Sequence, residues 1–372
     1  MNIEGIKEVS TNDKEALNTF VALERRFVGS NPLFFSEIDK DVIHRVSGRS
    51  SNFSEMEHTL FVASHGSQDV ARCAAMINHR YQEDNNEAAG FIGYFAAMPD
   101  RGPEVESMLG KAEAWLKDRG VTRIIAPYNG SPFLGYGLRT AGFDEEPIFP
   151  FAWHPPYYAD YFVNAGYKPT YPLWSYTVDF ASDKYRTAKQ RASENSAVSV
   201  RYVSKRNWKR DMETFRQLLN KSCAELWESH DYSSEGLHEI LDPLKSLHDN
   251  RELLIGEVNG KAAGICWGMP DWSPLFRSFN GKLGLVQIPK LMLRARRYSR
   301  AGLLLIGVLE DYKGNGLAHA LATKLYSLYE EQGLKEAVYH IVCDDNHRSR
   351  RFAESMGGTG RVLYHCYDKR LG

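Results

Sequence analysis

The sequence predicts an α/β protein built from two similar domains, each with a mixed β-sheet and covering helices. The chain has 372 residues, and a single hydrophobic core stops growing at about 250–300 residues. Residues 181–199 are rich in charged and small polar side chains without apolar periodicity, which predicts a linker. On both sides of this segment, helix and strand patterns follow in a matching order, which indicates one fold used twice.

The composition indicates a globular protein from a reducing compartment. Apolar residues make up 43% and charged residues 25% of the chain, as in ordinary globular domains. The 46 basic and 47 acidic residues leave a net charge of −1, which argues against a dedicated nucleic-acid-binding protein. The 5 cysteines lack paired spacing, so we expect neither disulfides nor a metal site. The sequence shows neither a transmembrane stretch nor a signal peptide, and we expect a cytoplasmic protein.

The first half, residues 1–180, contains the patterns of one domain. Apolar periodicity and turn signals predict a helix over 14–26, a hairpin that turns near 65–68, a strand over 89–95, a helix over 103–119, a strand over 123–126, a helix over 155–165 and a strand over 173–179. An irregular stretch separates the first helix from the hairpin.

The second half, residues 200–372, repeats this order. Its patterns predict helices over 205–227 and 234–247, a hairpin at Asn259-Gly260, a strand over 302–309, a helix over 316–332, a strand over 336–342, a helix over 346–356 and a strand over 362–367. Asn-Gly between apolar runs favours a tight turn because both turn positions adopt positive φ. Pro243 predicts a kink or break in the second helix.

A glycine-rich loop between strand 302–309 and helix 316–332 carries the strongest functional signal. It reads Lys313-Gly314-Asn315-Gly316-Leu317-Ala318. The glycines permit a sharp turn, and the helix N-terminus behind them offers unpaired N–H groups and a positive dipole end. The loop lacks the Gly-Lys-Ser/Thr ending of nucleoside-triphosphate loops and the third glycine of the dinucleotide fingerprint. It predicts an anion site, with a turn that binds no ligand as the alternative.

This strand, loop and helix resemble the pyrophosphate-binding motif of the GNAT (Gcn5-related N-acetyltransferase) superfamily, written Arg/Gln-x-x-Gly-x-Gly/Ala. Lys313, Gly316 and Ala318 fall on its fixed positions, with lysine as a cationic departure at the first. Asn346 and Gly357 match the family's next block, in which an Asn opens a helix beside the cofactor and a Gly closes it. Across its whole length the chain resembles bacterial tandem-GNAT proteins in the segments FIGYF, AEAWLKDRG, HPPYYADYFVNAGY and MGG.

The resemblance implies a tandem acyl-CoA N-acyltransferase (GNAT) fold. It also implies an enzyme that transfers an acetyl or longer acyl group from coenzyme A to an amine of a small molecule or peptide. An acyl carrier protein is a further candidate partner. We expect the C-terminal domain to bind the coenzyme through Val308, Leu309, Lys313, Gly314, Asn315, Gly316, Leu317, Ala318 and Asn346. The first domain is expected to be degenerate, because a single glycine, Gly102, stands where the paired glycines belong.

The catalytic groups have several candidates among the polar residues of the second half. Ala353 stands where the family usually carries the tyrosine that protonates the leaving thiolate. Candidate bases are Glu310, which is otherwise a solvated charge, and Asp344, which is otherwise a helix cap. His340 is either a third base or a packed strand histidine. Tyr364 on the last strand replaces the missing acid or belongs to the core.

Two further segments each fit more than one function. Residues 282–301 place four arginines beside apolar residues, which suits an acidic carrier protein, a phosphate of the coenzyme, a membrane surface or a solvated helix face. The aromatic residues between 149 and 162 suit an apolar substrate pocket or a core between the domains.

Two other functions of the whole protein remain alternatives, an acyl-CoA-binding sensor or scaffold and an aminoacyl transferase of the FemX type.

Overall fold

The computed structural model describes residues 5–54, 56–224, 226, 229–242, 250–283 and 298–372. The chain forms two units, and each combines a mixed β-sheet with helices, as predicted. Unit 1 comprises Met1–Pro172, Ser273–Pro289 and Tyr364–Gly372, and unit 2 comprises Leu173–Trp272 and Lys290–Leu363. The sequence predicts one boundary between the domains, near residues 181–199. In the structure the first unit ends at Pro172, and the later segments Ser273–Pro289 and Tyr364–Gly372 belong to it again.

Unit 1 contains a mixed sheet of six main strands and one short additional strand, covered by helices. Its strands are β1 (Ile6–Val9), β2 (Met56–His65), β3 (Gln68–Asn78), β4 (Ala89–Ala97), β5 (Arg123–Ala126), the short β6 (Leu138–Ala141) and the end of β13 (Thr359–Arg370). Its helices are α1 (Lys14–Val28), α2 (Asp39–Val46), α3 (His79–Asn85), α4 (Gly102–Lys117), α5 (Tyr157–Asn164) and α9 (Ser273–Phe279). The sheet order is β1-β2-β3-β4-β5-β13, with β6 paired to β13. Among the main strands, β4 and β5 run parallel and the other registered neighbours run antiparallel.

Unit 2 repeats this arrangement. Its strands are β7 (Lys168–Asp179), β8 (Val198–Tyr202), β9 (Leu253–Val258), β10 (Lys261–Pro270), β11 (Arg300–Val308) and β12 (Glu336–Cys343). Its helices are α6 (Asp183–Glu194), α7 (Trp208–Cys223), α8 (Ser234–Leu241), α10 (Leu317–Glu331) and α11 (His347–Ser355). The sheet order is β7-β12-β11-β10-β9-β8, and β11 and β12 form its parallel pair. The hairpin β9–β10 turns at Asn259 and Gly260 with φ of 51° and 73°, which confirms the predicted turn.

Helix α6 occupies most of the segment that was predicted as a linker. Ser182 caps it by accepting a hydrogen bond from the Tyr185 backbone N–H over 3.3 Å. Tyr185 is fully buried among the apolar side chains of unit 2, and its hydroxyl donates to Glu330 over 2.8 Å. Because most of its remaining residues are polar, the sequence shows little periodicity there. The segment is therefore an ordered helix of unit 2 and not an irregular connection.

Candidate functional site

Strands β11 and β12 separate part-way along their length. Their registered pairs run from Arg300↔Glu336 to Leu303↔Tyr339. Beyond that pair, residues 305–308 of β11 have registered partners on the β10 side, up to Val308↔Gly264, and no described residue of β12 pairs with them. The side chains of residues 304–306 are half-buried there. The parallel pair therefore opens into a V, and one edge of β11 faces the gap.

The predicted glycine-rich loop follows directly from the open end of β11. A short turn, Glu310–Tyr312, leads into Lys313 and Gly314, and Gly316 forms the N-cap of α10. Gly314 and Gly316 have φ of 85° and 79°, conformations that cost glycine little and other residues more. Since Gly316 supplies no side-chain cap, the first N–H groups of α10 keep their capacity to bind an anion. The loop and helix therefore have the local geometry that the sequence predicted.

Asn195, at the end of α6, lies against this loop. Its side-chain amide donates a hydrogen bond to the Asn315 carbonyl oxygen over 2.8 Å. A Cβ atom placed on Gly316 would lie 2.7 Å from the same amide nitrogen. The glycine at 316 thus serves two needs, the positive φ and the close approach of Asn195. Sequence reasoning missed Asn195 because it lies 120 positions away in the chain.

Two cations converge on Glu310 beside the loop. The Lys313 ammonium donates to one carboxylate oxygen, and Arg348, from the first turn of α11, donates to the carboxylate over 2.8 and 3.1 Å. These hydrogen bonds, from Lys313 first and Arg348 second, lower the pKa of Glu310. A carboxylate with a lowered pKa is a weak proton acceptor. Glu310 is therefore the ion-pair partner of Lys313 and Arg348.

The other predicted site residues have definite local partners. Asp344 accepts a hydrogen bond from the Arg350 guanidinium over 2.8 Å. Asn346 caps α11 by accepting from the Ser349 N–H over 3.0 Å, which holds the helix that carries Arg348. Ala353 is buried in the unit 2 core. Tyr364 is also buried, but it is counted with unit 1, where Arg139 approaches its hydroxyl to 3.5 Å.

In unit 1 the corresponding gap is filled by the chain itself. The parallel pairs of β4 and β5 end at Phe91↔Ile125. Immediately beyond, the Tyr128 N–H donates to the Ile92 carbonyl oxygen over 2.9 Å. The Asn129 side-chain oxygen then accepts from the Tyr94 N–H over 2.7 Å. These hydrogen bonds satisfy the edge of β4 in unit 1. The corresponding edge in unit 2 is that of β11, which faces the open V.

The end of β4 and the start of α4 are also filled, by two tyrosines of α5. The Tyr161 hydroxyl donates to the Met98 carbonyl oxygen over 2.6 Å and accepts from the Arg101 N–H over 3.0 Å. The Tyr157 hydroxyl donates to the Ala97 carbonyl oxygen over 3.0 Å. The polar groups of unit 1 that correspond to the loop and helix start of unit 2 are therefore occupied by tyrosine hydroxyls. The structure assigns these tyrosines to the unit 1 core, while the sequence had left open a pocket or a core between domains.

Segment 282–301, with three of its four arginines, falls largely on residues 284–297, outside the described residues. The described residues just before it belong to unit 1, where Phe276 of α9 stacks on Phe149 at 4.3 Å between ring centroids. The Asp39 N–H also donates to the Gly281 carbonyl oxygen over 2.7 Å. Among the helices that are described, none combines the length and apolar character needed to cross a membrane.

Comparison with known proteins agrees with this geometry. Residues 212–358, from α7 to the end of α11, match the model of the acetyltransferase (GNAT) family. This part of the chain is therefore similar to a GNAT acetyltransferase domain. It contains the V between β11 and β12, the glycine-rich loop and both cations beside it.

Relatives extend the GNAT likeness to the whole chain. A protein named "Bacterial ceramide synthase" from Caulobacter vibrioides (strain NA1000 / CB15N) is 25% identical over 366 residues, covering 95% of both chains. A solved tandem GNAT protein from the clavulanic acid biosynthesis pathway matches with a TM-score of 0.58 at 12% identity, covering 99% of this chain and 98% of that one. A GCN5-related N-acetyltransferase from Sphaerobacter thermophilus matches with a TM-score of 0.53 at 13% identity, covering 99% and 96%. The fold is therefore that of tandem GNAT proteins, and the family match over residues 212–358 together with the Caulobacter relative supports an acyltransferase.

Proposed function

We propose that this protein is an acyl-CoA-dependent N-acyltransferase that binds one coenzyme A, in unit 2. The observation that carries the proposal is the continuous path from the V between β11 and β12 to the loop at Gly316. A diphosphate suits the N–H groups at the start of α10, and the extended pantetheine arm suits the unpaired edge of β11. The coenzyme-binding set proposed from the sequence is kept, namely Val308, Leu309, Lys313, Gly314, Asn315, Gly316, Leu317, Ala318 and Asn346.

Arg348 is added to this set as a second cation. Its guanidinium and the Lys313 ammonium meet at one carboxylate, Glu310, so an incoming phosphate group finds two donors already close together. Charge-assisted hydrogen bonds to phosphate are roughly twice as strong as neutral ones. Asn346 contributes by holding the start of α11, since its side chain is engaged as the helix cap.

The single-site stoichiometry rests on the contrast between the units. In unit 1, Asn129 and Tyr161 satisfy the backbone groups that would receive the coenzyme. To bind there, the coenzyme would have to displace hydrogen bonds that are already made, and unsatisfied buried polar groups are costly. Unit 1 therefore acts as a partner domain without a coenzyme of its own.

The transfer reaction sets two demands on the site. A lysine-type amine has a reference pKa of about 10.4 and must lose a proton before it attacks a thioester. The carbonyl oxygen gains negative charge during attack, and backbone N–H groups stabilise it best when they are fixed in place. The open edge of β11 carries such N–H groups. Glu310, Asp344 and Tyr364 remain predictions as catalytic groups, and the lowered pKa of Glu310 weakens that carboxylate as a base.

For the acceptor, we propose an amphiphilic amine with a long alkyl chain. A ceramide is the amide of a long-chain amino alcohol, and the name of the Caulobacter relative therefore denotes amide formation on such an amine. Half-buried apolar side chains line the open part of β11, namely Leu304, Leu305 and Ile306, and apolar side chains dominate pockets for apolar ligands. The same lining suits an acyl chain longer than acetyl.

The test is thiol release from acetyl- to palmitoyl-coenzyme A with three acceptors: a long-chain amino alcohol, a lysine peptide and a polyamine. Amide product, identified by mass, is expected with the amino alcohol and a long-chain acyl-coenzyme A. Product with the peptide alone would overturn the acceptor class. Coenzyme binding without thiol release from any pair would favour the sensor or scaffold alternative. Transfer from aminoacyl-tRNA would favour the FemX-type alternative.

A further inference from the structure

A buried histidine lies where the two parallel strands of unit 2 part. Tyr339 makes the last registered pair with β11, so His340 is the first residue of β12 beyond it. Its side chain is 3% exposed. A Cβ atom on Gly302, on the facing strand, would lie 3.5 Å from both Cδ2 and Nε2 of the imidazole. The ring therefore lies beside β11 at the base of the V.

The backbone next to His340 is in a conformation that few residues adopt. Ile341 has φ of 53°, in the left-handed region, and the register between β12 and β7 shifts between Tyr339 and Val342. A β-branched residue in that region is strained, and a bulge re-aims the side chains beside it. Such a strained conformation persists only where the surrounding structure holds it in place. Conformations of this kind are frequent at functional sites.

A serine on the neighbouring strand orients the imidazole. The Ser175 hydroxyl of β7 lies 3.4 Å from Nδ1 of His340, and its side chain is 2% exposed. Because Ser175 contacts Nδ1, the other nitrogen, Nε2, is directed to the Gly302 side. A third group that orients the base is a regular feature of sites that move protons.

We propose that His340 is the catalytic residue that carries the proton from the amine to the leaving thiolate, with Ser175 as its positioning residue. The inference rests on the proposed acyl transfer in unit 2. The neutral amine attacks the thioester carbon, and the new N–C bond leaves a positive charge on nitrogen. Nε2 of His340 takes one proton from that nitrogen. The C–S bond breaks with its electron pair on sulfur, and the imidazolium returns the proton there, giving amide and free thiol.

Two features of the site agree with a histidine in this role. Ala353 replaces the tyrosine that protonates the thiolate in other family members, and one relaying imidazole makes a separate acid unnecessary. The hydrogen bonds from Lys313 and Arg348 lower the pKa of Glu310, which makes it a weaker base, and Asp344 accepts a hydrogen bond from Arg350. The Ser175 hydroxyl contacts His340, and imidazole is a side chain that can both take and give a proton near neutral pH.

The test compares His340→Gln with His238→Gln, which changes a histidine in the last turn of α8 in the same unit, within hydrogen-bond distance of Asp242. Calorimetry with coenzyme A is expected to give the wild-type affinity for both variants. The expected kcat falls by about 10²–10⁴-fold for His340→Gln and is unchanged for His238→Gln. Added imidazole is expected to restore part of the kcat of His340→Ala, which a merely structural role would not allow.

The result that overturns the inference is a folded His340→Gln that binds coenzyme A and keeps the wild-type kcat. Absence of imidazole rescue would equally contradict it. If substitution at 340 prevents folding, Ser175→Ala takes its place, because it keeps the imidazole. It is expected to lower kcat at unchanged coenzyme affinity, and a wild-type kcat would refute the positioning role. A wild-type protein that fails to bind coenzyme A would overturn the proposed function itself, which is a different outcome.

Discussion

The side-chain amide of Asn195 donates a hydrogen bond to the carbonyl oxygen of Asn315 over 2.8 Å. This contact ties the end of α6 to the glycine-rich loop that precedes α10. The same amide nitrogen is 2.7 Å from the position that a Cβ on Gly316 would take. The shape of the loop therefore depends on a residue outside the loop, and the coenzyme affinity should depend on it as well.

Replacement of Asn195 by alanine is predicted to weaken coenzyme A binding by about two- to tenfold, the range that one hydrogen bond of about 0.5–1.5 kcal/mol implies. The loop loses one of the contacts that fix it in its binding conformation. Ser193→Ala, on the same exposed helix end, removes a hydroxyl that donates within α6 and should leave the affinity unchanged. Calorimetry on the two variants decides, and equal affinities for both would contradict the role of Asn195.

Gly316→Val is predicted to abolish coenzyme binding, because its Cβ meets Asn195 and its side chain fills the approach to the α10 N–H groups. The positive φ also strains the backbone by about 1–2 kcal/mol. Gly333→Ala is the control, since Gly333 has φ of 82° with open space around its Cβ position. Both variants should lose stability in urea titrations, but only Gly316→Val should lose the ligand. Retained binding in Gly316→Val would mean that the coenzyme does not contact this loop.

Glu310→Gln is predicted to tighten coenzyme binding several-fold and to leave kcat unchanged. The carboxylate occupies Lys313 and Arg348 in the free protein, and its lowered pKa keeps it charged across the neutral range. A phosphate group must therefore compete with it. Asp311→Asn makes the same change in net charge at an exposed neighbour and should have a smaller effect. A collapse of kcat in Glu310→Gln would identify Glu310 as the base instead.

Tyr161→Phe is predicted to destabilise unit 1 by about 1–3 kcal/mol without changing the coenzyme stoichiometry. The substitution leaves the Met98 carbonyl and the Arg101 N–H without their hydroxyl partner, and such losses fall in this range. Tyr157→Phe removes one donated bond, to Ala97, and should cost less. Urea unfolding measures both effects. A second bound coenzyme in Tyr161→Phe would show that the tyrosine had been blocking a working site.

Local signals in the sequence predicted most of the elements that form the site. Strand β5 and the turn at Asn259 and Gly260 have the predicted positions, and α10 and α11 begin one residue after the predicted starts. These features depend on residues close together in the chain, such as the paired glycines and the Asn346 cap. The positive φ of Gly316 and the start of α10 without a side-chain cap follow from the same short motif, so the glycine-rich loop is the most predictable part of the site.

The remaining features depend on residues far apart in sequence. The Tyr161 hydroxyl reaches Met98 across 63 positions, and Ser175 reaches His340 across 165. The end of β13 pairs with β5, as in Lys369↔Ile124, although it follows the second domain in the chain. No local pattern marks such contacts. The sequence predicts a linker where α6 forms because this helix buries two residues, Tyr185 and Ala188. Two buried residues give too little apolar periodicity to predict a helix.

The most direct measurement is calorimetric titration of the wild-type protein and of Lys313→Glu with coenzyme A and palmitoyl-coenzyme A. We expect one binding site per wild-type chain, and a large loss of affinity in Lys313→Glu, which places a carboxylate where a phosphate should bind. Wild-type dissociation constants weaker than roughly 1 mM, which is about −4 kcal/mol of binding free energy, would contradict a coenzyme site in unit 2. So would undiminished affinity in Lys313→Glu, and two sites per chain would contradict the unequal roles of the units.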